Sequence, residues 1–240
     1  AYWERAGGAP YQNPVTRPRV VVRGERDACG NIIRFGDGSS ETLLDRRWEM
    51  RLNAARIAPL AEEDMAPELL ALLGPRFKAI PVLNIFRTLA HAPKAFKRFM
   101  AWGGYILSDA NSLSPRDREL VILRAGFNWK SGYEWAQHVR IGLDCGLTEV
   151  EIARIKTGPD APEWSDSDRA LLVATDELTA DAFISDATWE TLGEYSEKQR
   201  MDLVMTVAQY TQVSMMLNTF GVQLDEDLKL DPDLLSLIHI

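Results

Sequence analysis

Cysteine is scarce. The 240 residues hold two, Cys29 and Cys145, which form neither a Cys-x-x-Cys pair nor a metal-ligand spacing. Two thiols so placed rule out a disulfide framework. Positive charge is also short, with 27 Lys and Arg against 35 Asp and Glu and a formal net charge of -8, which disfavours general binding to nucleic acid or anionic membranes. No apolar run approaches the roughly 20 residues needed to span a bilayer, and no basic segment followed by an apolar one opens the chain. A cytoplasmic protein with no nucleic-acid or membrane partner is the expectation. What the chain does have is 46% hydrophobic residues over 240 positions, enough for one sizeable core or one domain plus an extension.

Strand signals are few. Residues 1–49 carry eight arginines and no lysine, with Val20–Val22 and Ile32–Phe35 as a marginal hairpin, and read as an extension. From Met50 the text turns helical. Pro67–Leu73 closes on Gly74, Val82–Ala90 precedes Pro93, and Pro93 to about Leu107 is amphipathic, with Phe96, Phe99, Met100 and Ile106 on one side. Thr148 with Glu151 and Ser196 with Gln199 are spaced as capping boxes, and Gly221 ends the last long helix. The expected class is all-α, with a helical domain over 50–232 and a tail over 233–240 whose LLSLIHI would be exposed unless it docks. The segment from Ser196 can be laid on the one from Ser114 as a degenerate helical repeat. Its second copy has Met and Leu where the first has acids, so Met201, Met205, Met215 and Met216 read as core or subunit packing.

The chemistry-bearing stretch runs from Leu113 to Leu147. Ser114, Pro115 and Asp117 suit the start of one helix, a break falls at Lys130 to Gly132, and Ser131 with Glu134 has the spacing of a capping box opening a second. Glu134 and His138 are four residues apart and share a face, and Glu119 lies on the preceding helix. Three proton-carrying groups stand close in sequence. Each also has a plainer role available: Glu134 as the capping-box acid, Glu119 as a solvated first-turn acid, His138 as a half-buried packing residue.

The residues RELVILRAG followed by YEWAQH resemble the carboxymuconolactone decarboxylase family, which shares a helical fold with the alkylhydroperoxidase D proteins, over roughly Arg56 to Asp227. The peroxidase branch of that family has a glutamate, a Cys-x-x-Cys pair and a histidine at positions that correspond here to Glu119, Ser131, Glu134 and His138. Both cysteines are absent, and disulfide exchange needs a thiolate and a resolving thiol. The Glu-Trp-x-x-His form resembles the decarboxylase branch.

The resemblance implies a cofactor-independent enzyme without metal that decarboxylates, or moves a proton on, a small cyclic or lactone carboxylic acid. In this reading His138 moves the proton near neutral pH, Glu134 sets its tautomer and Glu119 supports the site. Asn84, Arg87 and His91 would lie near the pocket mouth, with Arg87 pairing a substrate carboxylate or being a surface arginine, and Tyr133 and Trp135 would line the pocket. A homo-oligomer, trimer or hexamer, is implied as well, and MRLNAARIAPL resembles the way family members begin. An alkylhydroperoxidase-like redox protein and a non-catalytic oligomeric binding protein are the alternatives.

Overall fold

Small hydroxyl side chains cap half of the ten α-helices among the described residues. Ser114, Thr148, Ser165, Ser185 and Ser196 each accept a hydrogen bond from the backbone N–H three residues on, satisfying a donor that the first turn leaves open. The computed structural model describes residues 24–26, 32–35, 52, 54–73 and 81–236. Gly74, Val20–Val22 and Cys29 lie outside these residues. The chain divides into two units, Ala1–Arg47 and Trp48–Ile240.

In the first unit β1 (Gly24–Arg26) pairs antiparallel with β2 (Ile32–Phe35), Gly24 opposite Phe35, with an irregularity between Glu25 and Arg26. The second strand is the expected one. Among the described residues its partner is Gly24–Arg26.

The second unit is all-α. Its helices are α1 (Pro67–Leu72), α2 (Asn84–Leu89), α3 (Pro93–Ile106), α4 (Pro115–Asn128) and α5 (Gly132–Asp144), then α6 (Glu149–Thr157), α7 (Asp166–Asp181), α8 (Asp186–Thr191), α9 (Glu197–Phe220) and α10 (Pro232–Ser236). Proline occupies the first position of α1, α3 and α4, where its missing N–H has no partner to lose. The boxes at Thr148 and Ser196 both close, and Gly221 ends α9 in the left-handed region with φ of 68°.

The organising element is α4. Every residue from Arg118 to Gly126 is buried, because α5, α7 and α9 cover it on different sides. A helix enclosed in this way buries polar side chains as well, and Arg118, Glu119 and Arg124 are among its buried residues. Leu120, Val121, Ile122 and Leu123 have no exposed surface, and removing any of the leucines to alanine should cost about 2 to 5 kcal/mol. Two arginines fasten α4 to its neighbours. Arg116 pairs with Asp168 of α7 and Glu151 of α6, while Arg124 grips Asp176 through two bonds of 2.6 and 2.8 Å and donates to the Ile155 carbonyl. The tail docks through Leu234, which is fully buried in the same core. Among the described residues no helix is long and apolar enough to cross a membrane.

Candidate active site

A sharp break between α4 and α5 sets the site. Lys130 takes the left-handed conformation at φ of 54°, Lys130 N–H donates to Phe127 O and Ser131 N–H to Gly126 O, both at 2.9 Å. This closes α4 as glycine usually does, with lysine in its place. The chain reverses, and α5 lies back against α4 with Gly126 beneath the Glu134 side chain.

The expected capping box at Ser131 does not form. The Ser131 side chain makes no cap bond and is buried without a partner, because its ψ of 90° turns it away from the first-turn amides. Glu134 turns to His138 instead. Glu119 Oε2 lies 2.6 Å from His138 Nδ1 in an aligned hydrogen bond, and Glu134 Oε1 lies 2.8 Å from Nε2. The second contact is an ion pair that is not aligned as a hydrogen bond, so Glu134 Oε1 and Glu119 Oε1 are both buried without a donor. Exposure is 1% for Glu119, 4% for Glu134 and 6% for His138. None of the three is a solvated helix residue.

Electrostatics follow from this enclosure. Burial alone would push the imidazole pKa down, but the charges and contacts of Glu119 and Glu134 outweigh it and raise His138 to about 10. The resting side chain is therefore an imidazolium, a correction to a histidine poised near neutrality. The roles of the acids also change. Glu119, on the aligned Nδ1 contact, fixes the ring orientation, while Glu134 faces the nitrogen with the less directed contact.

The ring of Tyr210, from α9, meets the imidazole edge to face at 4.9 Å between centroids. Burial pushes its hydroxyl pKa well above the ordinary value, the two carboxylates add to this, and Arg118 opposes it. Tyr210 and Arg118 had no sequence signal as site residues, since a helix-interior tyrosine and a first-turn arginine look like packing and solvation.

The expected binding residues are not brought to His138. Arg87 donates Nε to the Leu60 carbonyl at 2.5 Å and Nη1 to Asn84, whose own amide bonds the Gln223 and Leu224 carbonyls. His91 contacts the Ala58 carbonyl at 2.9 Å. The Tyr133 hydroxyl donates to Asp225, and the Trp135 indole donates to Asp231 while its ring packs on Phe127. These side chains tie segments together. Two surface recesses, of about 40 and 220 Å³, are lined respectively by Lys130, Gly132 and Tyr133 among others and by Asp166, Glu190 and Tyr195 among others, and neither is lined by the three site residues. Among the described residues no group of three or more His, Cys, Asp and Glu is arranged to hold a metal ion.

Comparison with known proteins gives the fold a context. No curated protein matches the sequence. Solved structures do match. An alkylhydroperoxidase AhpD core protein of Ralstonia eutropha JMP134, called an uncharacterized peroxidase-related protein, is 22% identical with a TM-score of 0.63, over 72% of this chain and 95% of that one. The debrominase Bmp8, in complex with 2,3,4-tribromopyrrole, is 15% identical with a TM-score of 0.62, over 76% and 97%. A protein of unknown function from Agrobacterium tumefaciens, linked by name to antioxidant defence and AhpD, is 24% identical with a TM-score of 0.54, over 58% and 96%. At these identities the likeness is one of fold. Residues 93–177, which hold α3 to α6, most of α7 and all three site residues, match the carboxymuconolactone decarboxylase family. The chain thus has an AhpD-like all-α fold, and its stretch 93–177 is similar to the carboxymuconolactone decarboxylase family.

Proposed function

We propose that this protein is a cofactor-independent enzyme that delivers a proton to carbon on a small cyclic or lactone carboxylic acid, with decarboxylation as the reaction. The observation that carries the reading is the buried imidazolium of His138 held between two carboxylates. Breaking the bond to the carboxyl group releases carbon dioxide and leaves its electron pair on the adjacent carbon as an enolate-like carbanion. The imidazolium then gives its Nε2 proton to that carbon, and the neutral ring keeps Nδ1–H on Glu119. Solvent restores the proton. The Nε2 side is the working side because its contact with Glu134 is poorly aligned and yields more easily than the 2.6 Å bond at Nδ1. Glu134 relays the proton or steps aside as the substrate enters, and Tyr210 is the covering side chain that has to move with it.

A thiol reading has the names of the peroxidase-related neighbours in its favour. Against it, Ser131 and Glu134 stand where the peroxidase branch has its two cysteines, and Cys145 lies at the far end of α5. Association into a homo-oligomer, trimer or hexamer, belongs to the proposal and is supported by the exposed side chains of Trp102, Leu107, Met201 and Met215. The deciding experiment offers the protein a panel of lactone acids with carbon dioxide release as readout, and in parallel a hydroperoxide with a dithiol donor. Carbon dioxide release with no peroxide reduction is expected. Thiol-dependent peroxide turnover that vanishes in Cys145→Ser would replace this reading.

A further inference from the structure

Three arginines lie on α4, and two of them face carboxylates. Arg116 meets Asp168 and Glu151, and Arg124 meets Asp176. Arg118 is the exception. It is only 6% exposed, yet among the described residues it has no ion pair. Among the described residues its side chain makes one hydrogen bond, from Nη1 to the Ser108 carbonyl at 3.0 Å, and its Nε is buried with no acceptor. A guanidinium withdrawn from water needs a partner, and a buried donor left open is unfavourable.

We propose that Arg118 anchors the carboxylate of a small acid through the Nε and Nη2 edge of its guanidinium. That edge presents two parallel N–H groups at the spacing of the two carboxylate oxygens. The opposite edge is fixed by Ser108, which belongs to the 108–112 segment that buried Asp202 fastens through Ser112. Position favours a ligand of the neighbouring site. Arg118 is adjacent in sequence to Glu119, and its charge acts on the same Tyr210 whose ring contacts His138. A single-charged planar anion fits better than a phosphate, because Glu119 and Glu134 already place two negative charges nearby. Naming that anion as the substrate rests on the proton-transfer reading. The binding itself does not.

The test is a ¹⁵N NMR titration of arginine Nε–H groups in the full chain with acetate, with acetamide and sodium chloride as controls. The Arg118 signal, assigned by its nuclear Overhauser contact to Ser108, is expected to shift saturably with acetate and with neither control. Arg118→Lys keeps the charge and loses the fork, and should weaken acetate by about tenfold or more, as for loss of a charge-assisted hydrogen bond. If that variant does not fold, the native titration decides alone. No acetate shift at Arg118, an equal shift with acetamide, or unchanged affinity in a folded Arg118→Lys would overturn the subsite. The two proposals fail separately. Acetate bound at Arg118 with no acid turned over counts against the reaction and for the subsite, whereas an acid turned over with the same KM in Arg118→Lys counts against the subsite and for the reaction.

Discussion

Raising the pH should unfold this protein earlier through a single residue. His138 titrates near 10 in the folded chain, against an ordinary value of 6.5, because Glu119 and Glu134 outweigh its burial. A raised folded pKa gives stability that is complete below the unfolded value and is lost as pH climbs toward the folded one. Between the two values the folded state holds one more proton than the unfolded state, so stability falls by about 1.4 kcal/mol per pH unit. From about pH 7 to pH 9 the expected loss is about 2 to 3 kcal/mol, of a total that for most domains is only about 5 to 15. The assay is urea unfolding at several pH values, run beside His138→Gln. The variant leaves two buried carboxylates without their cation and should be less stable at neutral pH. Its pH dependence over this range lacks the imidazole's contribution, so the parent should lose stability more steeply with pH than the variant. A parent curve parallel to that of the variant, or ¹⁵N shifts showing a neutral imidazole below about pH 7, would refute the reasoning.

Glu134→Gln should leave the start of α5 intact, because Glu134 makes no capping bond, while lowering the His138 pKa seen by NMR titration. Arg124→Met removes the cation paired with Asp176, leaving it the Asn128 amide, and strips the Ile155 carbonyl of its side-chain donor, and a loss of about 2 to 3 kcal/mol is expected by urea titration, at or below the usual cost of breaking a buried pair because Asp176 is partly exposed. Gly221→Ala forces a Cβ into a left-handed position 3.0 Å from the Ala54 carbonyl oxygen. Its expected cost is about 1 to 2 kcal/mol, read as a lower melting temperature.

Local signals were legible wherever the neighbouring chain completes them. Thr148 and Ser196 share extended backbones with ψ near 160° and reach their third amides, so both boxes could be read from spacing. Ser131 has the same spacing, but its ψ of 90° is set by the left-handed turn at Lys130, which the letters do not announce. The grouping of Glu119, Glu134 and His138 was legible because helix periodicity and the short break bring them together. The use of each ring nitrogen was not, since it depends on the angle between α4 and α5. Arg87 and Asn84 illustrate the harder limit. Their partners include Asp225, Gln223 and Leu224, about 140 residues away, so two residues read as pocket-lining prove to be fasteners. Arg118 and Asp202 look in sequence like charges on solvated helix faces, and only the packing around α4 and α9 buries them.

The most direct measurement of the central claim is the turnover of His138→Gln on whichever acid the parent enzyme decarboxylates, with Cys145→Ser beside it. A positioned acid or base contributes about 10² to 10⁴ to rate, so His138→Gln should release carbon dioxide at least about a hundredfold more slowly while remaining folded at neutral pH. Cys145→Ser should match the parent. A His138→Gln enzyme that works at the parental rate would contradict the assignment of the proton to the imidazolium between Glu119 and Glu134.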